Sequence, residues 1–89
     1  MARIADSYKY FAIIDGDATL NRPAGLVRRH EFTDGGFVDE GLQSDFNWHR
    51  TPLIVEWERA ESTDDLVEVT EDEAKRIIER LRERWADSG

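Results

Sequence analysis

The chain has 89 residues, no cysteine and a formal net charge of −8 at pH 7, with 39% hydrophobic and 36% charged residues. This length allows one domain with a single core, and the hydrophobic fraction is too high for an intrinsically disordered chain. The lack of cysteine excludes disulfides and thiolate metal sites, and the acidic excess argues against binding to the phosphate backbone of nucleic acids. We therefore expect a single small acidic domain over residues 1–89 that binds no nucleic acid.

The first half of the chain predicts three β-strands. Residues 8–14 are rich in aromatic and β-branched side chains and contain no breaker, which is typical of a central strand. A loop with Asn, Pro and Gly follows, and residues 26–32 form the second predicted strand. The Asp-Gly-Gly triplet at 34–36 predicts a hairpin, because glycine adopts the positive φ of tight turns. Residues 37–40 then return as a short third strand.

The second half predicts two further strands. Residues 41–52 mix apolar and polar side chains without a period, which indicates a loop with room for one helical turn. Within residues 53–59, apolar side chains at alternate positions face away from two glutamates, as in a strand with one buried face. Residues 66–69 complete the set as a short fifth strand.

The C-terminal segment gives the strongest prediction, a helix over residues 71–86. Thr70 and Glu73 form a capping box, in which each side chain accepts a hydrogen bond from a backbone N–H that the first turn leaves unpaired. Strands joined by short reversals and followed by one helix indicate an α+β fold, an antiparallel meander of about four to five strands with the helix packed on one face. The apolar stripe of the helix consists of Ala74, Ile77, Ile78, Leu81 and Trp85.

The negative charge is concentrated in the middle of the chain. Residues 32–69 contain two basic and ten acidic side chains, whereas residues 1–31 contain five basic and four acidic ones. Such acidity serves solubility or meets a basic partner. The first apolar run, residues 10–14, is too short for a signal peptide or a membrane span, so we expect a cytoplasmic protein that binds no membrane.

An aspartate motif, Asp15-x-Asp17-x-Thr19-Leu20, follows the first strand. It resembles the first motif of the haloacid dehalogenase-like phosphohydrolases. The resemblance implies that Asp15 attacks a phosphoryl group, that Asp17 acts as acid and base, and that magnesium binds nearby. That family has a doubly wound parallel sheet with several crossover helices, whereas this chain has room for one helix. A magnesium-dependent phosphohydrolase is thus an alternative, and a turn built from Asp and Gly is the simpler interpretation.

Neither histidine predicts a metal site. His30 follows two arginines, whose charge repels a cation, and His49 lies between Trp48 and Arg50. The sequence contains no HxH, HxxxH or HExxH spacing. We therefore expect no metal, no cofactor and no catalytic residue, and hence no enzyme.

One stretch of the predicted loop combines large aromatic side chains with a cation. Such side chains anchor interfaces because they bury a large area with few rotatable bonds. The alternative is that Phe46 and Trp48 close the end of a small core, since a domain of this size needs most of its aromatics inside. The candidate partner-binding residues are Phe46, Trp48, His49 and Arg50.

The layout of the whole chain resembles that of short uncharacterised proteins from GC-rich actinobacteria. An aromatic first strand is followed by a Pro-x-Gly-aliphatic-x-Arg element, a Trp-bearing middle and a Thr-Glu-x-Glu-Ala helix start. Ten arginines against two lysines agree with that compositional bias. The resemblance implies a bacterial protein and carries no activity. The residues of the two motifs are Pro23, Gly25, Leu26, Arg28, Thr70, Glu71, Glu73 and Ala74.

Without a complete catalytic set, the sequence favours a small non-enzymatic protein-interaction domain of the adaptor, immunity or antitoxin kind. We expect its partner to be another protein, and a basic partner surface is compatible with the acidic middle of the chain. A homo-oligomer is also compatible with these features. A third hypothesis is a structural subunit that joins a larger assembly through an exposed sheet edge.

Overall fold

The computed structural model describes residues 7–14, 22–62 and 65–88. These residues form an α+β domain with a five-stranded sheet, as the sequence predicts. The predicted bounds of the first, second, third and fifth strands and of the C-terminal helix lie within two residues of the observed ones. In chain order the elements are β1 (Ser7–Ile14), β2 (Gly25–Glu31), β3 (Phe37–Leu42), β4 (Trp48–Arg50), α1 (Leu53–Glu58), β5 (Asp65–Val69) and α2 (Glu71–Ser88).

The strands are ordered β4-β3-β2-β1-β5, and every pair is antiparallel. The first four strands run as a meander. The chain then leaves β4, forms α1 and returns on the far side of β1 as β5. This connection puts β1 in the interior of the sheet and makes β4 and β5 its two edges.

The predicted fourth strand at 53–59 is wrong, because the segment forms helix α1. The backbone N–H of Glu56 donates to the carbonyl oxygen of Pro52 at 2.9 Å, and that of Arg59 donates to Val55 at 3.1 Å. Both bonds have helical i→i−4 spacing. A short apolar run fits a strand or a helix equally well by period, and here the position beside β1 is taken by β5. The run therefore packs as a helix on the sheet face.

The predicted loop at 41–52 is wrong for residues 41–42 and 48–50, which belong to β3 and β4. β3 continues to Leu42, and the chain reverses in a tight turn, where the Gln43 N–H donates to Asn47 and the Phe46 N–H donates to Gln43. This turn allows Trp48 to pair with Leu42 and start β4. The polar side chains of 43–47 thus form a hairpin turn rather than a long irregular loop.

The hairpin between β2 and β3 forms where the Asp-Gly-Gly triplet predicts it. Gly35 has a φ of 95°, a conformation that L side chains rarely adopt. The Asp34 carboxylate accepts a hydrogen bond from the Gly36 N–H at 2.9 Å, which closes the turn. The Asp and Gly residues therefore have a conformational role here.

Each face of the sheet has one helix packed on part of it. Successive residues of a strand point to opposite faces, so Ala12 and Phe11 on β1 belong to different halves of the core. The buried residues on the α2 side are Ala12, Leu26, Leu42, Val69, Ala74, Ile77 and Leu81. Those on the α1 side are Phe11, Val27, Ile54 and Leu66. The fold thus has a layer of sheet between α2 and the short helix α1.

The capping box at the start of α2 forms as predicted. The Thr70 N–H donates to the Glu73 carboxylate at 2.9 Å, and the Glu73 N–H donates to the Thr70 hydroxyl at 3.1 Å. The hydrogen bond from the Thr70 backbone, followed by that from its hydroxyl, holds the pKa of Glu73 below its ordinary value. The carboxylate form of Glu73 therefore favours the folded state.

Replacing Ile54 by alanine should destabilise the domain by about 2–5 kcal/mol, because its fully buried side chain fills the space between α1 and the sheet. Urea unfolding followed by circular dichroism measures the change. Val67→Ala serves as a control, since that apolar side chain is exposed and its loss should cost much less. Equal stability of the Ile54 and Val67 variants would contradict the packing of α1.

The capping box should make the stability depend on pH at the acidic end. Because the pKa of Glu73 is lowered on folding, its contribution is present above the ordinary glutamate range and is lost as the pH falls through the lowered value. The melting temperature of Glu73→Ala should lie below that of the parent at pH 7, and the difference should shrink below about pH 4. Thermal melts of both proteins across this range measure it, and a difference independent of pH would contradict the assignment.

Candidate interaction surface

Helix α2 covers only part of its sheet face. It begins after Val69, which pairs with Tyr10 in the middle of β1. Its last turns reach the start of β2, where the Arg84 guanidinium donates to the carbonyl oxygen of Pro23 at 2.8 Å. Among the described residues, the path of α2 therefore leaves the opposite half of this face, toward the start of β1 and the end of β2, without a helix over it.

A row of side chains crosses the sheet at the margin of this uncovered half. The strand register places Tyr10, Arg28, Glu40 and Arg50 side by side on β1 to β4. The Nε and Nη2 atoms of Arg28 lie 2.9 and 2.8 Å from the same oxygen of Glu40. Arg50 is exposed, and no other described residue makes a hydrogen bond or ion pair with its guanidinium. The row thus ends on a cation that is open to a binding partner.

Aromatic rings hold Arg28 from two sides. Its guanidinium carbon lies 4.0 Å from the centre of the Trp48 ring and 4.6 Å from that of the Tyr8 ring. Both distances are within the range of cation–π attraction. Tyr8 in turn stacks on His30, with ring centres 4.3 Å apart, although 41% of Tyr8 is exposed. These contacts fix the positions of side chains that face solvent.

We name Tyr8, Arg28, His30, Trp48 and Arg50 the sheet-face patch. Two of these five residues are arginines, and Glu40 is the one acidic residue that the strand register places beside them. The patch is therefore positively charged on a chain whose net charge is −8. Aromatic residues and arginine are enriched in protein interfaces, so the composition suits recognition of another protein.

Of the four residues predicted to bind a partner, Trp48 and Arg50 lie in the sheet-face patch. Phe46 does not, because its ring packs 5.3 Å from that of Trp85 and under the Arg82 guanidinium. Its φ of 60° is rare for a side chain of this size, and the tight turn of 43–47 imposes it. Phe46 is thus placed at the end of the core beside α2, as the alternative interpretation of the sequence expects.

His49 points to the opposite sheet face, because it alternates with its neighbours Trp48 and Arg50 on β4. Its Nε2 atom lies 3.0 Å from the carboxylate of Asp45. The hydrogen bond from the Asn47 backbone, and then that from His49, keep the pKa of Asp45 below its ordinary value. His49 therefore belongs to the turn before β4 and lies apart from the sheet-face patch.

A buried ion pair occupies the α1 side of the sheet. Arg29 donates to both carboxylate oxygens of Asp39, at 2.7 and 3.0 Å, and also to Glu58 on α1. Only 5% of the Asp39 side chain is exposed. The hydrogen bonds to Asp39 raise the pKa of Arg29 against the opposing effect of burial. The Arg29 guanidinium pairs with both carboxylates and so ties α1 to β2 and β3. None of the three charged groups of this cluster is left unpaired for chemistry.

The aspartates of the phosphohydrolase-like motif, Asp15 and Asp17, lie outside the described residues. The antiparallel sheet differs from the doubly wound parallel sheet that the resemblance implies. His30 and His49 project from opposite faces of the sheet and cannot share a metal ion. Within 7–14, 22–62 and 65–88, no three His, Cys, Asp or Glu side chains are grouped so that they could hold one.

Three members of the sheet-face patch are not among the residues that the sequence predicts to bind a partner, namely Tyr8, Arg28 and His30. All three lie in correctly predicted strands, but their proximity depends on the register of β1 against β2, which pairs Tyr8 with His30. The sequence does indicate that these residues share a face within each strand, because the aromatic and cationic residues occupy alternate positions on both strands. This alternation predicts contact between the two strands only when their register is known.

Comparisons with known protein families, with curated proteins and with solved structures find no match to this chain. No helix in the described parts of the chain is long and apolar enough to cross a membrane.

Replacing Arg29 by leucine should destabilise the domain by about 3–5 kcal/mol, because it leaves the buried carboxylate of Asp39 without a counterion. The double variant Arg29→Leu/Asp39→Leu removes both charges and should recover a large part of that loss. Urea unfolding at pH 7 measures both changes. A double variant that is no more stable than Arg29→Leu would show that the ion pair is not the source of the stability.

Proposed function

We propose that this chain is a non-enzymatic protein-interaction domain that binds its partner through the sheet-face patch. The observation that carries the proposal is the position of Arg28, held between Tyr8 and Trp48 on a half of the sheet over which no described residue forms a helix. Adaptor, immunity and antitoxin-like proteins are kinds of molecule that fit this proposal. Its cytoplasmic location rests on the sequence alone.

The patch is suited to binding because its side chains are already ordered. Immobilising a flexible side chain at an interface costs about 0.5–1.5 kcal/mol. Arg28 has its position fixed by two rings and by Glu40 before any partner arrives. Tyr8 offers an exposed ring beside it, and Arg50 offers a cation that no other described residue pairs. A partner can thus gain contact area and charge pairing at a low cost in side-chain entropy.

The same geometry supports binding over catalysis. The patch lies on the face of a sheet, whereas catalytic groups act in clefts that exclude water and shift pKa values. The acidic group nearest the centre of the patch, Glu40, is already bonded to Arg28. The surface therefore presents rings and guanidinium groups for contact, and no nucleophile paired with a base.

Affinity capture of the tagged protein from its native lysate tests the proposal. The double variant Tyr8→Ala/Arg50→Ala removes the two most accessible members of the patch and should capture at least about tenfold less of the partner than the parent. A matched control, Phe37→Ala/Arg59→Ala, removes an exposed ring and an exposed arginine elsewhere on the surface. It should capture as much partner as the parent does.

Both variants must first give the circular dichroism spectrum and melting behaviour of a folded domain. Capture of the same stoichiometric partner by parent and patch variant alike would overturn the assignment of the surface. The absence of any stoichiometric partner of the parent, at low and at high salt, would overturn the interaction function itself.

A further inference from the structure

The two edges of the sheet differ in how well they are protected. Edge strands expose unpaired backbone N–H and C=O groups, and proteins guard them with short length, proline, bulges or charged side chains, lysine above all. β4 has three residues, includes Arg50 and is followed closely by Pro52. β5 has five residues, Asp-Leu-Val-Glu-Val, and contains no proline, glycine or basic residue. The edge at β5 is thus longer than that at β4 and has no proline or basic residue, and the charges that it carries are the carboxylates of Asp65 and Glu68.

Among the described residues, β5 pairs with β1 and with no other strand. Three of its five side chains are exposed, those of Asp65, Val67 and Glu68. Val67 is 39% exposed on the α2 side of the sheet, and Glu68 is exposed on the α1 side. A strand added at this edge would therefore meet an apolar contact on one face and a carboxylate on the other.

Nearly all of the net charge of the chain belongs to the segment of sequence that contains β5. Residues 56–72 hold eight acidic side chains and one arginine, a formal charge of −7 out of −8 for the whole chain. This segment runs from the second half of α1 through β5 to the first turn of α2. Glu58 is paired with Arg29, whereas Asp65 and Glu68 lie on β5 itself and Glu71 and Asp72 follow it directly at the start of α2. These four carboxylates attract cations toward the strand.

We propose that the edge of β5 accepts an extended, lysine- or arginine-rich segment of another protein as a sixth strand of the sheet. Backbone hydrogen bonds to β5 would supply most of the affinity, as in other cases of strand addition. Because side chains alternate between the two faces, the segment should present basic residues toward Glu68 and β-branched apolar residues toward Val67.

A second copy of this chain is a poor occupant of the same edge. Antiparallel pairing of β5 with itself in full register, with Val67 opposite Val67, would place the Glu68 side chains of both copies at diagonal positions on one face of the sheet. Like charges near one another across strands are destabilising. The negative charge of this edge therefore favours a basic partner. The sheet-face patch is positively charged and does not favour a basic partner. The two surfaces are independent, so this inference goes beyond the proposed function.

The test uses the folded full chain and a synthetic peptide of alternating lysine and valine, seven residues long and blocked at both ends. In a titration followed by ¹⁵N–¹H NMR, the largest shifts should fall on the amides of β5, and these amides should gain protection from hydrogen exchange. A control peptide with two internal valines replaced by proline keeps every charge but cannot form a strand ladder. It should bind at least about tenfold more weakly.

Variants separate strand addition from general attraction between charges. Glu68→Lys should weaken binding of the lysine-valine peptide by at least about tenfold, whereas Glu79→Lys, the same change on an exposed position of α2, should have a small effect. The patch variant Tyr8→Ala/Arg50→Ala should bind the peptide as the parent does. That result distinguishes failure at this edge from failure of the proposed function.

Equal binding of the two peptides would overturn the inference, because it would show attraction without a backbone ladder. Equal weakening by the two lysine variants would overturn it as well, since charge anywhere on the surface would then suffice. Shifts centred away from β5, or no binding at millimolar peptide, would also contradict it.

Discussion

The structure depends on the burial of β1 from both sides. Phe11 and Ala12 are neighbours in this strand, point to opposite faces, and are both buried. A strand in the interior of the sheet that is apolar on both faces needs a cover on each, since an uncovered apolar face would stay in contact with water. The long helix α2 covers one face, and α1 inserts Ile54 on the other. The connection through α1 is therefore also the route by which β5 reaches the far side of β1.

The sheet-face patch is a consequence of the same constraint. The apolar stripe of α2 extends over Ala12, Leu26 and Leu42, and the half of the face beyond them has no helix. Polar strand residues there must find partners within the sheet, because burying or half-burying an unpaired charge is costly. Arg28 does so with one carboxylate and two rings. The contacts of Arg28 with Glu40, Tyr8 and Trp48 thus stabilise this half of the face and also fix the positions of the side chains of the proposed contact surface.

The order of the strands divides the charge of the molecule. It places Arg28 and Arg50 on one broad face and puts Asp65 and Glu68 on the edge strand β5. A chain with a net charge of −8 thus has one surface that favours carboxylates and another that favours basic groups. The two proposed interactions would use different physical forces, stacking with charge pairing at the face and backbone hydrogen bonds at the edge.

The sequence by itself determined the elements whose signals are local. The capping box of Thr70, the stripe of α2 and the Asp-Gly-Gly hairpin each depend on residues within a few positions of one another, and all form as predicted. Tertiary structure decided whether 53–58 became a strand or a helix, because β5 occupies the place beside β1. It also brought Tyr8 to His30 and Arg28 to Trp48, since strand register is set by pairing between distant segments and not by the pattern within one strand.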